Sequence, residues 1–535
     1  MTNPRPVSCG LDFCSAANLN SCLAYANDSR YDFVCVPLVH PLYKREFISG
    51  PAKNRRGPFT RPDLILNSSE WSNLIIGKVS PFINVDSTDP VVRKNSEKTL
   101  TQELSLASHF GLSAVWVQVP MENPIRQSYS FRASEESPRV DENPWEWWNT
   151  FRAIDRWLGE PVRCLVLPTT LFLTNKKGYP VLSKAHQAIV KKFAALEIQF
   201  ILTGATRYQS ISYYHNYLDF LWKSCQTNGT VEKFARGYED YLQCPLQPLS
   251  DNLESQTYEI FEKDPVKYRE YQNAIYEAIK TTVSKLEEER KIIIMVVGAG
   301  RGPLVTASLN AGETSPAGNQ DLRGGEEPEC RDNPGGDSER RLEGLSHGGI
   351  VRHEGLESPE KADIIVSELL GSFGDNELSR NDGINIPQSY TSYIAPVQSS
   401  KLYNEVKQLK DRDKHPLAHF EALYVVHLQN KYDIAKPRPV FTFTHPNADP
   451  VADNSRYETI TFPVEQNCSL HGFSGYFTAI LYKNIALSIE PSTYSTDMFS
   501  WFPLFFPLKV RRNRGDDTRE IQKQTKSKEN NIYRC

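Results

Sequence analysis

The sequence predicts an α/β protein that passes into a β-rich C-terminal portion, and three observations carry that prediction. Residues 1 to about 228 alternate short apolar runs (Phe33–Val39, Leu74–Val79, Ala114–Val119, Cys164–Leu167, Ile198–Leu202) with helix-patterned stretches such as Glu97–Ala107 and Ser183–Leu196. That rhythm reads as β/α units whose strands are parallel and buried on both faces. A barrel and an open sheet fit the periodicity equally. Buried-strand sequences recur at Ile292–Val297 and Ile364–Val366, each running into a glycine-bearing turn. From about 387 to 508 prolines become frequent and residues alternate, as in Tyr424–Leu428, Val440–Thr444, Thr459–Phe462, Ala479–Tyr482 and Ile485–Ile489. Short strands at that spacing predict an antiparallel sandwich or barrel.

Between these portions, residues 229 to about 290 predict helices, and the charged run Lys285–Lys291 reads as a solvated helix end. Two segments offer little to bury. Residues 311–358 hold ten glycines and no aromatic residue, which predicts a long loop or disorder. Residues 510–535 are polar and charged and predict a loose tail.

At 535 residues the chain exceeds a single core, so two or three domains are expected. With 61 basic and 65 acidic side chains, the charge disfavours bulk nucleic-acid binding and leaves a basic protein or peptide substrate open. The first residues lack the apolar core of a signal peptide, and no apolar run approaches the ~20 residues of a spanning helix. The ten cysteines are scattered without a Cys-x-x-Cys pair, which suits a reducing compartment better than a zinc or disulfide scaffold.

Chemistry concentrates in two stretches. The strand Ile292–Val297 leads into Gly298-Ala-Gly-Arg-Gly302, followed by Pro303. Glycines just after a buried strand let the backbone approach a nucleotide-like cofactor near the next helix N-terminus. Pro303 stands where a dinucleotide fingerprint wants its third glycine, so the nicotinamide reading weakens. Gly-x-Gly-x-Gly suits S-adenosylmethionine (SAM) methyltransferases, but another nucleotide binder and a plain tight turn also fit. The second stretch places Glu368 at the C-terminal end of a buried strand, where open α/β sheets bind ligands, and Glu377 nine residues on, after two glycines. Each alone reads as a cap or a surface glutamate. Together, two carboxylates can grip a planar guanidinium by forked, charge-assisted hydrogen bonds, hold a terminal nitrogen for alkylation, and take up a proton late.

Longer strings then carry a resemblance. They are Gly237–Leu249, Asp251–Tyr268, the two stretches above, Ser400–Val406, Pro463–Asn467 and Met498–Pro503, with Lys44–Phe47, Asp155–Pro161 and Leu173–Gly178 nearer the N-terminus. Over most of residues 30–508 the chain resembles the type II, symmetric-dimethylating protein arginine methyltransferases, the catalytic subunits of methylosomes. The resemblance implies a TIM-type β/α barrel over 1–228 and a Rossmann-like SAM-binding core over 229–386 carrying the glycine-rich insert 311–358. A β-barrel with a dimerisation segment over 387–509 and a charged tail over 510–535 complete it. It further implies that Glu368 and Glu377 are catalytic, that Tyr258, Lys267, Tyr268, Gly298 and Gly300 bind SAM, and that Phe261 and Trp501 govern substrate and product specificity, with no metal. Expected partners are arginine- and glycine-rich substrates such as histone tails and Sm proteins, a WD-repeat adaptor on the N-terminal barrel, and further copies of the chain, in cytoplasm and nucleus, without membrane or direct nucleic-acid binding.

The sequence also departs from that family. The insert stands where the family has its second and third cofactor-domain strands and the acid for the SAM ribose. Glu326, Glu327 and Glu329 are acidic, but no strand pattern presents them. The barrel looks shortened between about 118 and 155, the segment after Glu377 is short, and the last β-barrel strands look absent after Lys509. Retained or skipped exons in one divergent or incomplete copy would account for all four. The expectation is therefore an arginine methyltransferase, and the alternative an impaired isoform acting as an interaction protein.

Overall fold

The computed structural model describes residues 6–39, 66–117, 153–225, 229–246, 255–285, 292–298, 300–315, 361–374, 383–409, 415–446, 456–464, 468–513 and 524–525. The chain divides into two compact units, 1–227 and 228–535.

The first unit is built on a six-stranded parallel sheet. Its strand order is Val115–Trp116, Ile75–Lys78, Phe33–Pro37, Cys9–Asp12, Gln199–Thr203 and Cys164–Pro168. Five of these arise from the apolar runs. The sixth, Cys9–Asp12, lies in the middle of the sheet and was not anticipated, because four residues including Gly10 carry almost no strand signal. Gly10 is required there: a Cβ would stand 2.1 Å from the Phe33 ring on the neighbouring strand.

Alternation along the strands explains why both faces are apolar. Val34, Val36, Leu165, Leu167, Phe200 and Leu202 join helix residues Ile189, Val190, Phe193, Leu218 and Leu221 in one buried cluster. Phe33, Cys35, Ile76, Trp116 and Ile201 form another. The helix Pro90–Phe110 is longer than the Glu97–Ala107 expected. Asp89 caps it through the Val91 amide, Pro90 occupies its first turn, and left-handed Gly111 ends it. The clustered Trp145, Trp147 and Trp148 and the shortened stretch near 118–152 lie outside the described residues.

The second unit opens with helices Thr230–Ala235, Ser255–Glu262 and Pro265–Val283. The predicted helical block 229–290 is thus interrupted. Glu239 and Gln243 instead make isolated bridges to His427 and Val425, and Asp264-Pro265 breaks the two longer helices apart. A parallel sheet follows in the order Ile384–Ile386, Ile364–Ser367, Ile294–Val297, with Val296 beside Val366 and Val297 beside Ser367.

The apolarity of Ile292–Val297 predicted a central strand. Among the described residues it borders the sheet instead, and Ile364–Ser367 is central. Helix packing supplies the burial: Ile294 and Val296 join Ala274, Ile275 and Ala278 of one helix and Leu304 and Ala307 of the next in a single core. That next helix, Pro303–Thr314, also corrects the start of the glycine-rich insert, because Ala311 is fully buried in the same core. Residues 316–360 lie outside the described residues.

The C-terminal part is antiparallel, as the alternation predicted. Ser389–Gln398, Ser469–Tyr482 and Leu504–Asn513 form its backbone. Tyr424–Val425, Tyr432–Asp433, Arg438–Thr444 and Ile485–Ser488 pair around them. Phe477, Ala479 and Leu481 reach the parallel sheet's own core, so the two layers share one interior. Thr459–Phe462 is not a strand. The reading of 510–535 as a tail is corrected at two places: the Leu504–Asn513 strand runs past residue 509, and Gln524–Thr525 pairs with Arg456–Tyr457.

Candidate active site

The glycine turn follows the Ile294–Val297 strand. Gly298, Gly300 and Gly302 have φ of 72°, 54° and 93°, a region in which an L side chain is strained. A Cβ on Gly298 would also stand 3.0 Å from Leu369, the residue after Glu368. One on Gly300 would meet the Tyr258 ring at 3.7 Å, so the Ser255–Glu262 helix lays Tyr258 against the turn. Gly302 then starts the helix Pro303–Thr314.

Glu368 leaves the C-terminal end of the Ile364–Ser367 strand, and Lys267 reaches it from the first turn of Pro265–Val283. Their Nζ–Oε2 distance is 2.9 Å, with the side chains 2% and 17% exposed. The ammonium also lies 4.8 Å from the Tyr268 ring centroid and 5.1 Å from that of Trp501. Burial pushes Lys267 towards its neutral form, but the Glu368 charge and hydrogen bond outweigh it, with a further contribution from Tyr268, so its pKa lies above the ordinary lysine value. Burial raises the Tyr268 phenol in spite of the lysine beside it.

Trp501 comes from the segment between Ile485–Ser488 and Leu504–Asn513. Its indole N–H donates to the Leu370 carbonyl at 2.9 Å, and its ring meets Phe477 edge-on. Lys267, Tyr268, Glu368 and Trp501 therefore converge, with Tyr258, Gly298 and Gly300 adjoining through the turn. Phe261 lies on the Tyr258 helix, but its side chain is outside the described residues, and Glu377 is outside them altogether.

Supporting residues escaped the sequence reading. Tyr271, one turn beyond Lys267, is fully buried and donates to the Ser367 carbonyl at 2.9 Å. Glu262, four residues after Tyr258, pairs with Arg301 of the glycine turn at 3.4 Å, and burial raises its pKa against the arginine's pull. Asp264, also fully buried, accepts the Val266 and Lys267 amides on Oδ1, and on Oδ2 the Phe499 and Ser500 amides and the Ser500 hydroxyl. Its local signal was legible, since Asp-Pro is a helix-start pair. Its second set of partners, over 230 residues away, was not.

A glycine turn facing a strand-end carboxylate, with aromatic rings around a buried cation, is an α/β arrangement suited to a nucleotide-like cofactor beside a cationic group. Comparison with known proteins places it further. Residues 229–321 and 351–391 match the PRMT5 arginine-N-methyltransferase domain, 30–116 and 152–227 the PRMT5 TIM barrel domain, and 389–531 the PRMT5 oligomerisation domain. The matches lapse at 117–151 and 322–350, at two of the four places where the sequence departs from the pattern, and run on through the segment after Glu377 and past Lys509 to 531. Protein arginine N-methyltransferase 5 of Xenopus laevis is 42% identical, covering 94% of this chain and 91% of that protein. The Oryza sativa subsp. japonica protein of that name is 37% identical over 93% and 89%, and the Drosophila melanogaster one 34% over 86% and 86%. The chain belongs to the protein arginine N-methyltransferase 5 family, with its TIM barrel, methyltransferase core and C-terminal β-domain.

Proposed function

We propose that the chain transfers methyl groups from SAM to terminal guanidinium nitrogens of arginine in Arg- and Gly-rich proteins, with symmetric dimethylarginine as product. The observation that carries this reading is the cage around the Lys267 ammonium: a carboxylate at 2.9 Å and two aromatic rings about 5 Å away. A guanidinium beside it needs the same surroundings, a carboxylate for its N–H groups and flat apolar faces for its plane and stem.

The residues present suit the cofactor as well. Three glycines with positive φ keep side chains away from the backbone N–H groups of the turn, and a cation stands alongside. SAM, when bound, supplies an electrophilic methyl on a sulfonium. Tyr258, Lys267 and Tyr268 are the side chains that would hold it. Lys267 has three ammonium protons, so it can donate to Glu368 and to a ligand carboxylate together. Glu368 holds one edge of the arginine, orients its terminal nitrogen and accepts the proton that nitrogen releases. Glu377 is the proposed second carboxylate, and Phe261 and Trp501 the residues that set substrate fit and methylation pattern. Histone tails and Sm proteins are the proposed substrates. A WD-repeat adaptor on the N-terminal barrel, self-association, and a cytoplasmic and nuclear location complete the proposal.

One observation favours a second reading, a non-catalytic interaction protein. The glycine-rich stretch stands where the family has its ribose acid, and the match to the methyltransferase domain lapses over 322–350. Calorimetric titration of the full chain with SAM, then methyl transfer to an Arg-Gly peptide, separates the two. Micromolar binding with turnover, abolished in Glu368→Gln while SAM still binds, supports the enzyme. A cooperatively folded chain that binds no SAM supports the interaction protein. Undiminished turnover by Glu368→Gln sinks the assignment of Glu368.

A further inference from the structure

The site is assembled from three pieces of chain that are far apart in sequence: the first turns of Pro265–Val283, the Ser367–Leu370 segment, and Phe499–Trp501. Each pair of pieces is tied. Lys267 with Glu368 and Tyr271 with the Ser367 carbonyl join the helix to the strand end. The Trp501 indole with the Leu370 carbonyl joins the loop to the strand end. Asp264, through one carboxylate, joins the helix to the loop by hydrogen bonds, beside the Lys267–Trp501 cation–ring contact: Oδ1 takes two helix amides at 3.0 and 3.3 Å, and Oδ2 takes three loop donors at 2.8, 2.8 and 2.7 Å.

We infer that Asp264 is a positioning residue for methyl transfer, one that fixes the Lys267–Tyr268 side of the site in register with Trp501. It touches neither reacting group. The inference rests on the proposed function above, because it assigns significance to the alignment of those residues.

The two oxygens divide the work. A helix cap needs one oxygen, and serine or asparagine supplies it. Here the second oxygen is spent on a segment 235 residues further on. A fully buried carboxylate with five N–H or O–H donors is held in one orientation, and so are its donors. Phe499 and Ser500 directly precede Trp501, while Lys267 donates its own amide to the same carboxylate. Both site residues are thus at most one peptide unit from the anchor. The loss of an ångström in such an alignment costs on the order of 100-fold in rate.

The test uses the full chain with Asp264→Asn, Asp264→Ser and Ser500→Ala. Asparagine keeps an oxygen for the cap but turns an amide N–H2 towards two N–H donors. Serine keeps the cap and cannot reach the loop. Ser500→Ala deletes a single donor and serves if the other two fail to fold. The first readout needs no turnover. Hydrogen exchange should lose protection at the Phe499 and Ser500 amides in the two Asp264 variants, with a smaller loss in Ser500→Ala, which keeps both amide donors, while 271–279 of the same helix stays protected. The second is kinetic, per folded molecule and well below each variant's Tm. We expect kcat to fall by about 10- to 100-fold in the Asp264 variants and about 3-fold in Ser500→Ala, with SAM affinity changed less than kcat.

A variant that only lowers Tm, with kcat per folded molecule unchanged, overturns the inference, as does unchanged exchange at 499–500. Glu368→Gln in parallel separates the two claims. If it abolishes turnover while Asp264→Asn leaves kcat intact, only the positioning role fails. If Glu368→Gln is fully active, the reading of the site itself fails.

Discussion

Lys267→Met removes a fully buried ammonium and leaves Glu368 facing the space it occupied. The two side chains are 2% and 17% exposed and 2.9 Å apart. Deleting one partner of a buried ion pair costs about 3–5 kcal/mol, because the remaining charge stays desolvated. Glu368 keeps some contact with water, which places the cost near the lower end, about 3 kcal/mol. In the unit 228–535 that corresponds to a fall in Tm of roughly 5 °C. Methionine nearly fills the lysine's volume, so the loss is electrostatic rather than a cavity.

The double variant Lys267→Met/Glu368→Gln leaves no buried charge and should recover about 2 kcal/mol of the deficit. The pH dependence has a definite sign. In the parent chain Lys267 is raised, so its stabilising contribution is complete below the unfolded lysine value of about 10.4 and is lost as pH climbs through the higher folded value. Denaturant unfolding of the parent, both singles and the double across pH measures all of this. A single variant within about 0.5 kcal/mol of the parent, or a double equal to the sum of the singles, would refute the reasoning.

Other consequences are simpler to measure. Gly298→Ala places a side chain at φ 72° and 3.0 Å from Leu369; it should cost about 1–2 kcal/mol in chemical unfolding and weaken SAM binding, and parent-like values in both assays would contradict the cradle. Tyr271→Phe deletes the buried hydrogen bond to the Ser367 carbonyl and should cost about 1–2 kcal/mol, read from denaturation midpoints. Phe261→Met should change the ratio of symmetric to asymmetric dimethylarginine on an Arg-Gly peptide, resolved by mass spectrometry, and an unchanged ratio would count against Phe261 as the product determinant.

Much of this protein was legible in its sequence. Apolar runs such as Phe33–Val39 and Ile198–Leu202 announced strands because a strand buried on both faces needs no polar alternation, and that is a property of the run itself. Asp89-Pro90 and Asp264-Pro265 carry local helix-start signals, although the helical patterns read as Glu97–Ala107 and as one block over 229–290. Glu368 was legible through its place at the end of a buried strand, and the glycine turn through residue types that only unusual backbone demands. The family was legible in whole strings of residues.

What the sequence left undecided depends on partners distant along the chain. Cys9–Asp12 is a strand because Phe33–Pro37 and Gln199–Thr203 hydrogen-bond to it on both sides, and four residues with a glycine could not signal that. Among the described residues Ile294–Val297 lies at the border of its sheet, and two helices bury its side chains; apolarity reports that burial and says nothing of how many strands flank it. Lys267 meets Glu368 across 101 residues, and Asp264 meets Ser500 across 236. Local sequence determined which side chains were chemically fit for the site, while tertiary structure decided which of them share it, because a buried charge takes its character from the groups packed against it.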